Sequence, residues 1–342
     1  MSLPSASTLV SFPAGEVAGR ATVLAVERLA DGRYGVITDS TPFHPLDHTW
    51  PDQPADTGVL AVGDAELPVV DCLTGAVGPE DASTLLLGAD IPVRRGEEGW
   101  AWLVVHVLDD PATPEVVRPG AEVEVRVDAE RRGALSASHT GCHLLALALN
   151  AALAPRWRKD PGRSDALGHP DFDSLAMDTS RMDTTASTDV YRIGKSLRKK
   201  GFTPDGLAED LPAIEAEVNA RLREWVAADA AVRIEVPGPE LTARRQWTCE
   251  LPEATATIFC GGTHLHHLGE LATLRTELEL NEDGTRLTAV TTPERVPAPE
   301  TAPATAPEPV AADVAAPRGP FGRLQTWLRW KFRKDREAVG PR

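Results

Sequence analysis

The chain has 342 residues, of which 42% are hydrophobic and 25% are charged, and its formal net charge at pH 7 is −16. This length allows two domains that each bury a core of their own, and the lack of an apolar run of about 18 residues argues against a membrane-spanning helix. The first residues, MSLPSASTLVSF, lack the basic start and long apolar stretch of a secretory signal, so we expect a soluble, cytoplasmic protein.

The charge is distributed unevenly along the chain. Residues 318–342 contain eight Lys/Arg against two Asp/Glu and carry +6, which leaves −22 on residues 1–317. Such an acidic body argues against indiscriminate nucleic-acid binding, because phosphates would be repelled from most of its surface. If RNA is a partner, local basic patches must bind it.

The first 130 residues have the pattern of a β-rich domain. Short runs typical of strands recur between clusters of Gly, Pro and Asp, namely ATVLAVERL, YGVITDS, WAWLVVHVL and EVEVRV, and the apolar run WAWLVVHVL is predicted to be a buried strand. Alternation with a period of two is typical of strands that bury one face. We therefore predict that residues 1–130 form a β-barrel-like or strongly curved antiparallel domain.

Residues 131–292 mix helical and strand patterns. Helices are predicted at 136–153, with Ser136 or Ser138 as N-cap, at 188–200, closed by Gly201, and at 212–228. The third helix places four apolar side chains on one face: Ile214, Val218, Leu222 and Trp225. Strand patterns return from 232 to 292, so this part is predicted to be a second domain of α+β class, which is also the class of the whole chain.

The end of the chain changes in composition again. Residues 293–320 are dominated by Pro, Ala, Glu and Thr, which predicts a disordered linker. Residues 321–342 form a basic, amphipathic pattern that predicts a short tail helix. RNA, a membrane surface and a protein partner all remain open as its target, with RNA placed first.

Two pairs of metal-ligating residue types stand far apart in the sequence. His139 and His143 are one helical turn apart, which places both imidazoles on one face within about 6 Å. Cys260 and His264 flank a Gly-Gly-Thr loop that follows the predicted strand ATATIF. Each pair alone occurs by chance, but both together among nine His and four Cys predict one shared site. Three imidazoles and a thiolate suit one Zn²⁺ ion.

The two pairs lie in motifs with a family resemblance. HTGCHLL (139–145) and CGGTH (260–264) resemble H-T-x-x-H-L-L and C-x-G-T-H of the alanyl-tRNA synthetase editing domain and its freestanding AlaX relatives, in the second additional domain family shared with threonyl-tRNA synthetase. The resemblance covers roughly residues 20–290 and includes Gln53-Pro54-x-Asp56-x-Gly58. The chain departs from the pattern where Trp50-Pro51-Asp52 replaces the usual glycines and where His44 follows Phe43.

The resemblance implies a zinc-dependent hydrolase that deacylates Ser- or Gly-tRNA(Ala) and spares Ala-tRNA(Ala). It also implies contact with the acceptor end of tRNA(Ala) and attack of a metal-activated water on the aminoacyl ester. Thr140 is the candidate for contacting a serine hydroxyl, and Gln53 is expected near the metal-bound water. Gly262 and Thr263 lie in the loop between Cys260 and His264, which resembles the alanyl-tRNA synthetase type, and they are also expected to contact the substrate. For Thr140 and Gln53, the alternative role is a hydrogen bond that only stabilises the fold.

A second group of residues is a candidate for binding phosphates. No acidic residue lies between Val190 and Gly201, and five basic residues fall on the predicted helix there: Arg192, Lys195, Arg198, Lys199 and Lys200. In a body of net −22, this segment is the strongest local attraction for tRNA. The alternative is an ordinary solvated helix face.

Two other functions remain open. The altered loop at 46–52 would fit a tRNA-binding module that keeps a structural zinc and has lost catalysis, because four protein ligands can close a tetrahedral site. The acidic body and missing loop glycines would fit a metal-dependent hydrolase of a small-molecule ester or amide. The sequence contains no P-loop, so we expect neither a nucleotide cofactor nor amino-acid activation.

Overall fold

The computed structural model describes residues 3–297. The predicted tail helix at 321–342 and all but the start of the predicted linker lie outside the described residues. The last described strand runs to Arg295, so residues 293–295, which the composition assigned to the linker, belong to a strand. Across the described range, every helix falls short of the length and apolar character that crossing a membrane demands.

Strands dominate the first 130 residues. One short helix, α1 (Thr113–Val116), lies among ten strands: β1 (Leu9–Val10), β2 (Ala18–Arg28), β3 (Tyr34–Thr38), β4 (Ser40–Thr41), β5 (Gly58–Val62), β6 (Ala65–Val69), β7 (Asp71–Val77), β8 (Leu86–Leu87), β9 (Ala101–Leu108) and β10 (Glu122–Val127). Eight of them form an antiparallel sheet in the order β6-β5-β10-β2-β3-β9-β7-β8, and β1 pairs with β4 in parallel.

The predicted barrel is wrong, because this sheet is open. Its outer strands, β6 and β8, do not pair with each other in the described part of the chain. β8 contributes only two residues, which pair with Gly75 and Ala76, and β6 is joined only to its hairpin partner β5. Alternation of apolar residues indicates a sheet with a buried face, but closure depends on pairing between remote strands, which alternation does not encode.

Strand β9 is buried along its whole length, as its continuous apolar run predicts. Trp102, Val104 and Leu108 pack into the larger core of this half. Ala101, Leu103 and Val105 point to the opposite face and pack into a smaller core. The central strands are therefore covered on both faces.

The second half contains four helices and seven strands: α2 (Ala129–Leu153), α3 (Phe172–Ala176), β11 (Met177–Met182), β12 (Ser187–Arg192), α4 (Lys195–Lys200), α5 (Leu207–Ala227), β13 (Val232–Glu235), β14 (Gln246–Glu250), β15 (Thr255–Phe259), β16 (Leu271–Leu280) and β17 (Arg286–Arg295). The sheets are antiparallel, in the orders β11-β12-β17-β16 and β13-β14-β15. Helices α2 and α5 pack against each other, and both contact β16. The mixed class with mostly antiparallel sheets is as predicted; the division into domains at 130/131 stays a prediction.

The predicted starts of the first two helices are wrong. α2 begins two turns before Ser136, because the Asp128 carboxylate accepts the Arg131 N–H and caps the helix there. Residues 187–192 form β12 between β11 and β17, and only 195–200 are helical. The alternating burial of residues 187–192 is that of a strand, and pairing with β11 and β17 overrides the local helical pattern. The stop at Gly201, with φ of 115°, is as predicted.

The long helix α5 has the predicted buried face. Ile214, Val218, Leu222 and Trp225 are all buried in the core of this half. The helix begins at Leu207 rather than 212, so Pro212 lies inside it. The apolar stripe, with its spacing of three and four residues, positions α5 against α2 and β16.

A buried ion pair joins α2 to the segments that precede β5. Arg132, near the start of α2, donates from Nε to both carboxylate oxygens of Asp56 at 2.9 and 3.1 Å, and Nη2 also contacts Asp56. The same guanidinium donates to the Pro42 carbonyl at 2.8 Å. Asp56 also accepts the His44 N–H, and both charged side chains are buried. Three separate segments are thus held at fixed positions around one charge pair.

Removing one partner of this pair should destabilise the fold. In Asp56→Asn the guanidinium of Arg132 stays buried without its counter-charge, so we expect the free energy of unfolding to fall by about 3–5 kcal/mol. Chemical denaturation measures the change. Asp31→Asn, which breaks the exposed pair with Arg33, is the matched control and should have little effect. Equal losses in the two variants would contradict the assigned role.

The buried His106 on β9 makes stability depend on pH. Burial lowers its pKa to about 4, although its hydrogen bond to the Val36 carbonyl opposes the shift. In the unfolded chain the imidazole has a pKa near 6.5. As the pH falls, His106 is therefore protonated in the unfolded state at a higher pH than in the folded state. The contribution of neutral His106 to the free energy of unfolding is therefore fully present above pH 6.5. It is lost as the pH falls toward 4, which lowers the free energy of unfolding by roughly 3 kcal/mol.

Denaturation curves of the wild type and His106→Gln between pH 7 and 4 test this shift. The unfolding free energy of the wild type should fall more steeply than that of the variant as the solution is acidified. Contributions from the other histidines are common to both proteins and cancel in the difference. Parallel pH profiles would show that His106 does not carry the effect.

Candidate metal centre

The structure brings the four predicted ligands together. His139 and His143 project from α2, and the loop after β15 carries Cys260 and His264 to the same point. One ligand atom from each residue lies within 4.8 Å of the others. Cys260 Sγ is 3.3 Å from His139 Nε2 and 3.2 Å from His264 Nε2. Ligands of a tetrahedral ion with 2.0–2.3 Å bonds lie about 3.3–3.7 Å apart, so these two separations fit one shared ion.

The hydrogen bonds around the cluster leave the Nε2 atoms free to bind a metal. His139 Nδ1 is 2.7 Å from Gln53 Oε1, and His264 Nδ1 is 3.3 Å from Thr140 Oγ1. An acceptor at Nδ1 holds the proton there and directs the Nε2 lone pair into the cluster. His143 Nε2 is buried and has no hydrogen-bond partner among the described residues. A buried ring nitrogen without a partner fits a missing metal bond, so this donor set could hold one ion.

Gln53 lies behind the cluster and joins three segments. The Gln53 amide oxygen accepts the Thr263 N–H at 2.9 Å in addition to its contact with His139. The Gln53 amide nitrogen donates to Thr263 Oγ1 at 2.9 Å, and Ser136 Oγ donates to the same hydroxyl oxygen. All three polar side chains are buried. Gln53 and Thr263 therefore position the ligands, while contact of Gln53 with a metal-bound water stays a prediction.

Gly262 is required by the close approach of the loop to α2. A Cβ at this position would lie 2.3 Å from His139 Cε1 and 2.6 Å from Gln53 Oε1. Any larger residue would displace the imidazole of His139 or the amide that orients it. The Gly262 N–H also donates to Cys260 Sγ at 3.4 Å, which partly satisfies the sulfur.

Burial controls the protonation of the cluster. It lowers the pKa of His143 to about 4, and it lowers the pKa of His139 and His264 well below the usual value, with neighbouring histidines adding to the effect. The imidazoles are therefore neutral, as ligation requires. Burial raises the pKa of Cys260 to about 12, against the hydrogen bond from Gly262. Without a cation beside it this thiol stays protonated.

Thr140 does not face open space. It is fully buried, and its hydroxyl oxygen contacts His264 Nδ1 and accepts the Leu265 N–H at 3.2 Å. It is absent from the linings of the cavities described next. These contacts favour the structural alternative for Thr140, while its contact with a serine hydroxyl stays a prediction.

Two cavities meet at the cluster. One, of about 280 Å³, is lined by His139, His143, Cys260 and Gly262. The other, of about 600 Å³, extends from His143 along the side of α2 toward α3. Four residues line both cavities: Trp50, Asp52, His143 and Phe259. Substrate bound at the cluster could therefore extend in two directions.

Sequence reasoning missed several residues at this entrance. Trp50 and Phe259 are 45% and 60% exposed, and the Arg244 guanidinium lies 3.8 Å from the centre of the Phe259 ring. His44 lines the smaller cavity. Asp52 places a carboxylate oxygen 3.7 Å from His139 Nε2, and burial raises its pKa to about 6. For His44, Trp50 and Asp52 the available signal is the departure from the family pattern at 44 and 50–52, whereas no sequence signal marks Phe259 or Arg244.

The predicted phosphate-binding residues lie elsewhere on the surface. Lys195, Arg198, Lys199 and Lys200 are exposed on or at the ends of α4. Arg192 ends β12 and forms an ion pair with Asp178. None of these basic side chains lines either cavity in the described structure. Their role in binding tRNA stays a prediction.

Loss of the Gln53 amide should weaken metal binding. In Gln53→Ala, His139 Nδ1 and the Thr263 N–H lose their shared acceptor, so we expect metal affinity to fall about 10- to 100-fold. Competition with a chromophoric chelator measures this affinity. The control is Gln246→Ala, which truncates a glutamine on β14, the strand paired with β15. This variant should bind metal like the wild type. Unchanged affinity in Gln53→Ala would contradict the positioning role.

Comparison with known proteins places the chain beside alanine–tRNA ligases. It is 30% identical over 253 residues to the alanine–tRNA ligase of Pyrobaculum neutrophilum, a match that covers 73% of this chain and 23% of the ligase. The enzymes of Caldivirga maquilingensis and Halobacterium salinarum are 29% and 26% identical over 264 and 250 residues. These matches cover 75% and 72% of this chain and 23% and 21% of the two ligases.

No protein-family model matches the chain. The chain spans about a quarter of the length of the curated relatives it matches. The resemblance to alanyl-tRNA synthetases is nevertheless confirmed, because most of the chain is homologous to a segment of alanine–tRNA ligases. That this segment is an editing domain stays a prediction.

Proposed function

We propose that this homologue of a segment of alanine–tRNA ligases is a zinc-dependent hydrolase that deacylates mischarged tRNA(Ala). The observation that supports this most strongly is the convergence of one ring nitrogen from each of three histidines and one thiol at the junction of two cavities. The ligand types and the two short separations suit zinc. The relatives are named as ligases of alanine to tRNA, so the acceptor end of tRNA(Ala) is the proposed substrate.

The protein's part in the reaction is to hold the ligands and shape the access to them. A bound zinc ion would polarise the ester carbonyl and lower the pKa of its bound water toward 7. Gln53 and Thr140 keep the Nδ1 protons of His139 and His264 in place, so both rings stay oriented. The aminoacyl ester is already activated, so the reaction needs no protein nucleophile.

The entrance fits the terminal nucleotide of an RNA strand. Trp50 and Phe259 present aromatic faces beside the cluster, and nucleobases stack on such faces with little sequence preference. Arg244 lies over the Phe259 ring and adds a cation there, whereas Arg95 in the smaller cavity is paired with Asp47. Phosphates further along the acceptor stem would then meet the basic residues of α4.

A tRNA-binding module with a structural zinc is the second candidate. It is favoured by the four protein ligand atoms within 4.8 Å, since four ligands can fill a tetrahedral site and leave no position for water. A small-molecule ester or amide hydrolase remains a third, supported by the carboxylates of the larger cavity. The cytoplasmic location stays a prediction.

Deacylation assays with a metal count separate these candidates. We expect wild-type protein to hold one equivalent of zinc and to hydrolyse Ser- and Gly-tRNA(Ala) but not Ala-tRNA(Ala). Cys260→Ala should lose the zinc and more than about 100-fold of the activity, because the ion supplies the main stabilisation of the reacting charge. His267→Ala, which alters an exposed histidine just after the motif, should keep both.

Three results would count against the proposal. Bound zinc with tRNA affinity but no turnover would favour the structural module. Turnover of small esters that tRNA does not inhibit would favour the third candidate. Equal hydrolysis of Ala-tRNA(Ala) would exclude proofreading.

A further inference from the structure

The larger cavity beside the cluster has an acidic wall. Five aspartates line it, Asp52, Asp165, Asp171, Asp173 and Asp189, against one arginine, Arg163, which is paired with Asp171. A cavity with a negative lining repels phosphate and attracts a cationic group. The question is which carboxylate is available to a ligand.

Three of the five carboxylates are engaged in local structure. Asp171 caps α3 by accepting the Ser174 N–H, and Asp165 accepts the backbone N–H groups of Leu167 and His169. Asp173 accepts the Tyr191 hydroxyl at 2.9 Å. A fourth, Asp189, is 2% exposed and has the Ser187 hydroxyl at 3.5 Å. The hydrogen bonds that these four aspartates make within the fold explain their position as well as ligand binding would.

Asp52 differs from the others in position and in its partners. Its Oδ1 accepts the Gln53 N–H at 2.8 Å, and its backbone carbonyl accepts the Met182 N–H at 3.0 Å, so the residue is held in place. Oδ2 has no hydrogen-bond donor and no ion pair with a Lys or Arg among residues 3–297, although Arg181 is near enough to stabilise its charge through space. It lies 3.7 Å from the neutral His139 Nε2. Asp52 is not part of the compact four-ligand set. It lines both cavities where they meet.

The proposed substrate carries one cationic group close to the bond that breaks. In an aminoacyl ester the α-ammonium group is on the carbon next to the ester carbonyl. A carbonyl placed at the metal cluster therefore brings the ammonium group into the space that Asp52 borders. A charge-assisted hydrogen bond to a partly buried carboxylate is among the stronger polar contacts a protein can make.

We propose that Asp52 binds the α-ammonium group of the aminoacyl ester and selects substrates whose amine is free. This inference rests on the proposed deacylation of tRNA and adds a specificity determinant to it. Recognition of the amine is independent of the side chain, so it would serve serine and glycine alike. It would exclude N-acylated aminoacyl-tRNA, in which the positive charge is absent.

Binding of non-hydrolysed analogues tests the role of Asp52 apart from catalysis. The probes are the seryl amide of 3′-amino-3′-deoxyadenosine and its N-acetyl form, titrated by calorimetry into zinc-loaded wild type and Asp52→Asn. We expect the wild type to bind the free amine about 10- to 100-fold more tightly than the acetylated probe. Asp52→Asn, which keeps the size of the side chain and its contact with the Gln53 N–H, should lose this preference at unchanged zinc content.

Two further arms complete the test. Asp189→Asn removes another carboxylate from the same cavity and should keep the preference for the free amine. The kcat/KM ratio for Ser-tRNA(Ala) over N-acetyl-Ser-tRNA(Ala) should fall in Asp52→Asn by the same factor as the binding ratio. Equal falls for both tRNAs would instead assign Asp52 to the chemical step and overturn the proposal.

The outcomes separate this inference from the function on which it rests. If Asp52→Asn keeps the wild-type preference, or Asp189→Asn loses it equally, the role of Asp52 is overturned while deacylation stands. If the wild type binds neither probe and hydrolyses no tRNA, the proposed function falls and the inference with it.

Discussion

The buried pair of Arg132 and Asp56 fixes the geometry on which the rest of the site depends. Arg132 lies two turns before His139 on α2, so the pair sets the axial position and rotation of the helix that carries both paired histidines. Asp56 lies three residues after Gln53, so the same contact positions the amide that orients His139. Burying either charge without its partner is strongly unfavourable. The pair therefore favours the one arrangement of these segments in which both charges are paired, besides adding to the stability of the fold.

From this anchor, polar contacts extend to a third remote segment. Gln53 spans the gap to Thr263, and Thr263 in turn accepts a hydrogen bond from Ser136 on α2. Gly262 lets the loop approach so closely that no side chain would fit between it and His139. The metal ligands therefore gain their positions from buried neutral hydrogen bonds, and metal binding need not order the loop by itself.

The electrostatics of the site bear on the conflict between an acidic body and the proposed RNA substrate. The cavity next to the cluster is lined by carboxylates, whereas the entrance carries exposed aromatic rings and Arg244. Nucleobases can be bound by stacking, without the positive potential that phosphates need, so an acidic surface is compatible with recognition of a single-stranded end. The altered loop at 50–52 supplies both Trp50 and Asp52, so the departure from the family pattern lies where substrate selection would occur.

Elements with strong local signals could be predicted from the amino-acid sequence alone. The period of α5, the buried strand β9, the stop at Gly201 and the four residues of the candidate metal cluster all follow from spacing and residue type. These features were predictable because each depends on residues within one or two turns or on a motif with few alternative explanations.

Features that depend on contacts between remote segments became visible only in the folded molecule. The open edge of the first sheet follows from strand pairing, and β12 is a strand because β11 and β17 pair with it on both sides. Gln53 and Thr140 hold histidines, and Asp52 meets the cluster, because segments more than 80 residues apart are brought together. Local sequence cannot specify such contacts, since their energy exists only once the intervening chain has folded.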